Sequence, residues 1–328
     1  MWDFPRVQIA VAATLLLILL AFLPGAAKWA LMAISAGCLA YQCWRILPYT
    51  PLTRKEMRLA PRAPDDQVKL LSANVLQENR RHRMLLQLIE ETDPDVLLLM
   101  EIDEHWLEAI EPLLARYTTV LREPKPNHYG LVFATRLKAA EARIVYITPD
   151  DTPAVFAELV AANGRSFCFV GLHPQPPVPG VDTKERDDQI LYAARFARKS
   201  GVPLIAMGDF NDAAWSDTAQ SFKSLGRYVD PRVGRGLYAS FKADSWLLRC
   251  PIDQVYVTED IALVSLHLGP YIGSDHFPVI TELRIDSELA KQLNTSVVET
   301  ERRNDDDLDA RVAAYQGRLD EALRRRQK

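Results

Sequence analysis

Short apolar runs in this chain repeatedly end on a group that is costly to bury. That recurrence constrains the fold more than any bulk property. The stretch "LIAMGDFNDAAW" is the clearest case: an apolar run from Leu204 reaches Gly208, then gives Asp209, Asn211 and Asp212. Val68–Ala73 leads to Asn74, Val96–Met100 to Glu101, and Phe167–Leu172 to His173. Asp253 lies at the start of the run at 252–257, and Asp275 and His276 stand at the head of the run at 277–285. Any one of these is ordinarily a turn or a cap. Taken jointly, they call for a fold that delivers several strand ends to one side.

The segments between them show how. From about 68 to 286, apolar runs alternate with helical patterns. "NRRHRMLLQLIEETD" puts Leu85, Leu88 and Ile89 on one face, and Pro94 stops it. "DEHWLEAIEPLLARY" opens on an Asp that can cap a helix, and "TKERDDQILYAARFARKSG" predicts a helix that ends at Gly201. "DVLLLME" reads as a buried strand, and "YGLVFAT" and "ARIVYIT" read as further strands. Asn163–Gly164 joins the two strands of "VFAELVAANGRSFCFVGLH" in a hairpin. Hairpins mixed with helix crossovers predict sheets with helices packed outside, not a doubly wound parallel sheet.

Ahead of this lies an apolar N-terminus. Residues 7–23 carry no charge, and 29–47 form a second, weaker run, with Pro24 and Gly25 between them. Two transmembrane helices spanning about 7–23 and 29–47, within a unit of 1–47, are expected; a single span or a cleaved leader are the other readings. Arg45 stands near the end of the second run and Arg54, Lys55, Arg58 and Arg62 follow it, whereas the loop holds only Lys28. The excess of positive charge places both ends, and the domain, on the cytoplasmic side of a cell (inner) membrane, as a multi-pass protein. Residues 48–66, rich in proline and basic groups, read as a linker leaving the bilayer. Residues 67–286 form the expected catalytic domain, and 287–328 a charged helical or disordered tail.

Composition adds exclusions. A net charge of −4 over 328 residues gives no global drive toward nucleic acid. The 4 cysteines have no zinc-type spacing and read as free structural thiols. The strand-end inventory is carboxylate, amide and imidazole. Oxygen ligands of this kind suit a hard cation, Mg²⁺ or Mn²⁺, and leave room for phosphate oxygens. A His beside an Asp supplies proton transfer or a phosphate donor. Phosphoester hydrolysis needs this combination.

At this point the sequence resembles the endonuclease/exonuclease/phosphatase superfamily, which includes DNase I, abasic-site endonucleases, sphingomyelinases and inositol-polyphosphate 5-phosphatases. The matching segments are "LLSANVLQEN", "PDVLLLMEID", "VGLHPQPP", "IAMGDFNDAAWS", "PIDQVYV" and "IGSDHFPVITEL", in the family's order. "HPQPP" and "RDDQ" look like its membrane-anchored bacterial branch. The resemblance implies a four-layered α/β sandwich of two packed mixed sheets flanked by helices, here preceded by a transmembrane helical hairpin. It implies metal ligation by Glu101 with Asn74 and Asp275, and catalytic roles for His173, Asp209, Asn211, Asp253 and His276. Tyr129 and Arg186 are the candidate substrate contacts; an ordinary strand tyrosine and a solvated helix face (Arg186, Gln189) are the plainer readings. Gln254 stands where many relatives carry His, and "LYASFKAD" where the branch often shows Thr-Trp-Pro; such loops shape the pocket.

The expected activity is therefore membrane-anchored, divalent-metal-dependent hydrolysis of a lipid, nucleic-acid or small-molecule phosphoester. A nuclease tethered at the membrane is the alternative in the same class, and it predicts a basic groove. A catalytically silent interaction module is the alternative in another class, and it requires a missing ligand.

Overall fold

Strands whose residues are apolar on both faces need cover on both sides. The computed structural model describes residues 2–63, 66–148, 152–177, 183–198, 201–295 and 305–326. Helices α1 (Arg6–Ala21) and α2 (Ala27–Ile46) come first. Then follow β1 (Val68–Asn74), α3 (His82–Thr92), β2 (Val96–Met100), α4 (Glu104–Leu114), β3 (Thr119–Glu123) and β4 (Leu131–Thr135). The middle holds β5 (Lys138–Tyr146), β6 (Pro153–Val160), β7 (Ser166–Leu172), α5 (Lys184–Phe196), β8 (Leu204–Asp209), α6 (Asp217–Gly226) and β9 (Tyr228–Val229). The chain closes with β10 (Asp253–Thr258), β11 (Ala262–Leu268), β12 (Val279–Arg284), α7 (Ser287–Leu293) and α8 (Asp305–Arg326).

The strands form two 6-stranded sheets, ordered β11-β12-β1-β2-β4-β3 and β5-β6-β7-β8-β10-β9. Alternation along each central strand sends side chains to opposite faces. In β2, Val96, Leu98 and Met100 enter the core between the sheets, while Leu97 and Leu99 meet α3 and α4. In β8, Ile205 and Met207 enter the same core, while Leu204 and Ala206 meet α5 and α6. Phe133 and Phe169 close the sheets on each other, with ring centroids 5.3 Å apart. The two packed mixed sheets flanked by helices are thus present.

The topology explains the strand-end pattern. The parallel pairs β1/β2 and β7/β8 lie inside their sheets and finish on the same side. Strands β12 and β10 run antiparallel to β1 and β8, so their N-terminal ends arrive there too. Register pairs Asn74 with Met100, Leu172 with Gly208, and Asp209 with Asp253. Gly208 makes the close approach possible: its φ is +146°, and a Cβ there would lie 2.0 Å from the Leu172 carbonyl oxygen. Gly208→Ala is expected to destabilise the domain by about 3 kcal/mol or more. A urea midpoint within error of wild type would contradict this.

Several expectations change. Strands β3 and β11 and helix α6 carry no strong sequence signal and appear only in the structure. Helices α1 and α2 pack together, but among the described residues only Ala27–Tyr49, 23 residues, is long and apolar enough to cross a membrane. At its 16 residues α1 reaches only about 24 Å, short of a hydrocarbon core of about 30 Å. The expected pair of spans is thus reduced to one candidate span with a shorter apolar companion. The described part of 48–66 is no free linker. Tyr49 and Met57 are buried, Leu59 pairs with Leu263, and Glu56 forms an ion pair with Lys223. Residues 64–65 and 296–304 lie outside the described residues. In the tail, α8 lays Leu308 and Val312 into the core around α5, and Arg311 and Arg318 pair with the buried Asp188.

Candidate active site

Asn74 ends β1 at the seam between the two sheets. Its Nδ2 donates to Glu101 Oε1 at 2.8 Å and to Asp209 Oδ2 at 3.2 Å, linking one sheet to the other. Glu101 follows β2 immediately and adopts φ +63°, a left-handed conformation that is strained for a side chain of this kind. That turn lifts its carboxylate off the strand path. The Gln77 backbone N–H reaches Oε2 at 3.2 Å, and His128 Nδ1 lies 3.1 Å from it. Burial pushes the Glu101 pKa up, but the neighbouring His173 and the hydrogen bonds from Asn74, His128 and Gln77 outweigh this and hold it low. Glu101 is therefore an anion at neutral pH, held in place at the cleft mouth.

Asp209 is nearly inaccessible at the centre. Its Oδ1 accepts from the Asn211 backbone N–H at 2.8 Å. Its Oδ2 lies 3.7 Å from His173 Nε2 and 3.6 Å from His276 Nε2, so two imidazoles flank one carboxylate. His276 Nδ1 meets Asp253 Oδ2 at 2.7 Å, which fixes the ring with Nε2 toward Asp209. Burial disfavours a charged His276, but Asp253 and then Asp209 outweigh it and push its pKa up to about 10. Burial also raises Asp209; the His276 charge opposes this, but it is held mainly by the closer Asp253. His173 goes the other way. Burial lowers it to about 4 against the pull of Glu101, so it is neutral at pH 7. Its Nδ1 has no hydrogen-bond partner.

The remaining expected residues divide. Asn211 sits at φ +47° and anchors its amide on the Pro174 carbonyl at 2.9 Å. Tyr129 lies beside His173, with ring centroids 5.9 Å apart. Arg186 is not a solvated helix face: its side chain is largely buried. Its guanidinium donates to the Asn211 carbonyl at 3.0 Å and pairs with Asp187 and Asp212, so it braces the Asn211 loop. Gln189 is buried rather than solvated. Asp275 is partly buried, and burial raises its pKa, opposed by His276 and reinforced by Glu101. It belongs to neither of the clusters described below. Gln254 alternates away from Asp253: its amide donates to the Asp212 carbonyl and its oxygen accepts from Arg232 and Tyr256. That departure from the family pattern therefore lies behind the cleft wall.

Sequence reasoning missed His128 and Gln77, which hold Glu101, and Ser274, whose hydroxyl donates to the Asn74 carbonyl and accepts from the His276 N–H. It also missed Phe241, whose ring lies 4.9 Å from that of His276. These groups sit on loops, away from the apolar runs that point to the others. The signal available for His128 was only its place before Tyr129–Gly130.

Two clusters bring three potential ligand atoms within 4.8 Å of one another among the described residues: Glu78–Glu101–His128 and Asp209–Asp253–His276. In the second, the His276 proton already answers the carboxylates. The first offers an anionic, mostly oxygen donor set, which fits a hard divalent cation; Asn74 would join it through Oδ1, which here accepts from the Leu76 N–H at 3.1 Å.

Residues 71–276 match the sequence profile of the Endonuclease/Exonuclease/phosphatase family. The chain belongs to that family, whose members hydrolyse phosphoester bonds. Solved structures agree on the fold. The human Nocturnin catalytic domain with bound sulfate matches with TM-score 0.55 and 17% identity, covering 66% of this chain and 94% of its own. D. rerio TDP2 with a single-strand DNA product gives 0.52 and 16%, covering 66% and 99%. The Bacteroides thetaiotaomicron VPI-5482 mannosyl-6-phosphatase gives 0.51 and 18%, also covering 66% and 99%. No curated protein matches the chain.

Proposed function

We propose that the protein is a membrane-anchored phosphoester hydrolase dependent on Mg²⁺ or Mn²⁺. One observation carries the chemistry: a single chain of contacts, Glu101–Asn74–Asp209–His276–Asp253, crosses from one sheet to the other. Packing alone gives no reason to gather three carboxylates, an amide and an imidazole in one chain, with a second imidazole, His173, beside Asp209.

Glu101 and Asn74 would hold the cation, with Asp275 nearby. Bound there, the cation would neutralise phosphate charge and favour the leaving oxygen. Asp209, raised by burial, accepts the proton of the attacking water, while the Asn211 loop holds the carboxylate still. Water oxygen bonds to phosphorus as the ester P–O bond breaks. His276, protonated and oriented by Asp253, donates to a phosphoryl oxygen as negative charge builds. Neutral His173 gives a second donor from the opposite side, beside Tyr129. A silent module is disfavoured because no member of this constellation is missing.

The anchoring part rests on Ala27–Tyr49 and the exposed apolar surface of α1, where Leu15, Ile18 and Leu19 are unburied. The basic residues on the domain side of α2 support a cytoplasmic cleft and a place in the membrane-anchored branch. The test is hydrolysis of bis(p-nitrophenyl) phosphate by the full chain in detergent. Turnover should require Mg²⁺ or Mn²⁺ and stop with EDTA, and isothermal titration should show metal binding lost in Glu101→Gln. Metal-independent turnover would refute this reading.

A further inference from the structure

A loop outside the catalytic constellation remains unexplained. In Asp244–Arg249, Trp246 is 81% exposed, Leu247 57% and Leu248 59%. The loop is folded by its own polar groups. Ser245 N–H donates to the Lys242 carbonyl at 2.9 Å, and Arg249 Nε donates to the Ser245 carbonyl at 3.1 Å. The consecutive apolar side chains take no part in that folding and point outward, which an aqueous setting does not favour.

Its position says what covers it. Gln8 Nε2, in the first turn of α1, donates to the Leu247 carbonyl at 2.6 Å. The buried Arg6–Gln42 hydrogen bond of 2.9 Å sets the start of α1 level with the end of α2. The loop tip therefore lies where the apolar helices meet the domain. Exposed Trp2, Tyr41 and Trp44 lie at this same level, an aromatic belt of the kind found at the membrane–water boundary. Arg249, exposed beside the tip, suits lipid phosphates. The stems of the loop also form the cleft wall. Phe241 pairs with Cys250 and bridges to His276, and the Ala243 N–H donates to the Asp275 carbonyl at 2.8 Å.

We infer that Trp246, Leu247 and Leu248 insert into the boundary of the bilayer that holds α2, seating the catalytic cleft at the depth of the lipid headgroups. This rests on the anchoring reading above. It makes a lipid-borne phosphoester the favoured substrate, delivered by lateral diffusion in the bilayer.

The full chain, reconstituted in phosphatidylethanolamine–phosphatidylglycerol vesicles, tests it. Trp246→Cys in a Cys38→Ser/Cys43→Ser background carries an environment-sensitive fluorophore, because Cys168 and Cys250 are buried. Blue-shifted emission, quenched by nitroxides high on the acyl chains, is expected. A water-like probe on protein that resists alkaline carbonate extraction would overturn the loop inference alone. Protein released by carbonate would overturn the anchoring reading, and the inference with it. A combined Trp246→Asp/Leu247→Ser/Leu248→Ser variant supplies the second readout. It should lose about tenfold or more on a phosphatidyl p-nitrophenyl diester in vesicles, yet keep its rate on soluble bis(p-nitrophenyl) phosphate. Equal retention on both, or no wild-type turnover of the vesicle substrate, would refute the headgroup-level cleft.

Discussion

Asp209→Asn is expected to cut turnover by about 10³-fold or more while leaving the unfolding temperature close to wild type. The two side chains are nearly the same size, so the shape of the site survives. Their chemistry differs in the one respect that counts. Asp209 offers acceptor oxygens to Asn211 N–H and Asn74 Nδ2 and faces both imidazoles. An asparagine keeps one acceptor and turns the other atom into a donor, set against the Asn74 donor. It also cannot take a proton from water. Folding should suffer little, because a neutral amide is easier to bury than an ionised carboxylate in this setting. Turnover on bis(p-nitrophenyl) phosphate alongside a thermal melt separates the effects. Activity within tenfold of wild type would remove Asp209 from the chemistry, and parallel loss of activity and fold would make its role structural.

The sequence shows some of this site and hides the rest, for physical reasons. Asn74, Glu101, His173, Asp209, Asp253 and His276 each stand at the end of a strand, where an apolar run abruptly becomes polar. A period-2 core strand that finishes on a carboxylate can be read directly from the residue order. Sheet order could not be read. Nothing local pairs β12 with β1, yet that pairing brings Ser274 onto the Asn74 carbonyl, and with it His276, whose N–H donates to the Ser274 hydroxyl. The loop residues were hidden because their contacts are long-range. Arg186 reads as helix surface until the Asn211 loop, 25 residues on, closes over it. Residues 48–63 read as spacer because prolines and basic groups dominate, whereas buried Tyr49 and Met57 decide the outcome. The tail misled for a similar reason. Its charges look solvated, but Arg311 and Arg318 find Asp188 on α5, and Tyr315 donates to the Ile147 carbonyl at 2.8 Å.

Asp253→Asn tests the other half of the constellation, and its result is read best against pH. Burial opposes a proton on His276; Asp253, 2.7 Å away, is the main influence restoring it, up to a pKa of about 10. Asparagine can still accept the Nδ1–H, so ring orientation persists while the charge that holds the proton is gone. Burial should then dominate. The alkaline limb of kcat/KM is expected to move down by about 1–3 pH units, and the rate at pH 8 to fall by up to about tenfold. Stability follows with a definite sign. A histidine whose folded pKa lies above its unfolded value of about 6.5 contributes stability fully below that value. The contribution is lost as pH rises through the folded pKa, here about 10. Wild type should therefore lose a few kcal/mol more than the variant between about pH 6 and pH 10, read as the difference in urea midpoints so that shared titrations cancel. Superimposable pH–rate profiles for the two proteins would mean that His276 does not act as the protonated donor. The Asp253 pair would then be a structural contact at the base of β10, and the proton for the developing phosphoryl charge would have to come from His173, which burial keeps neutral on the far side of Asp209.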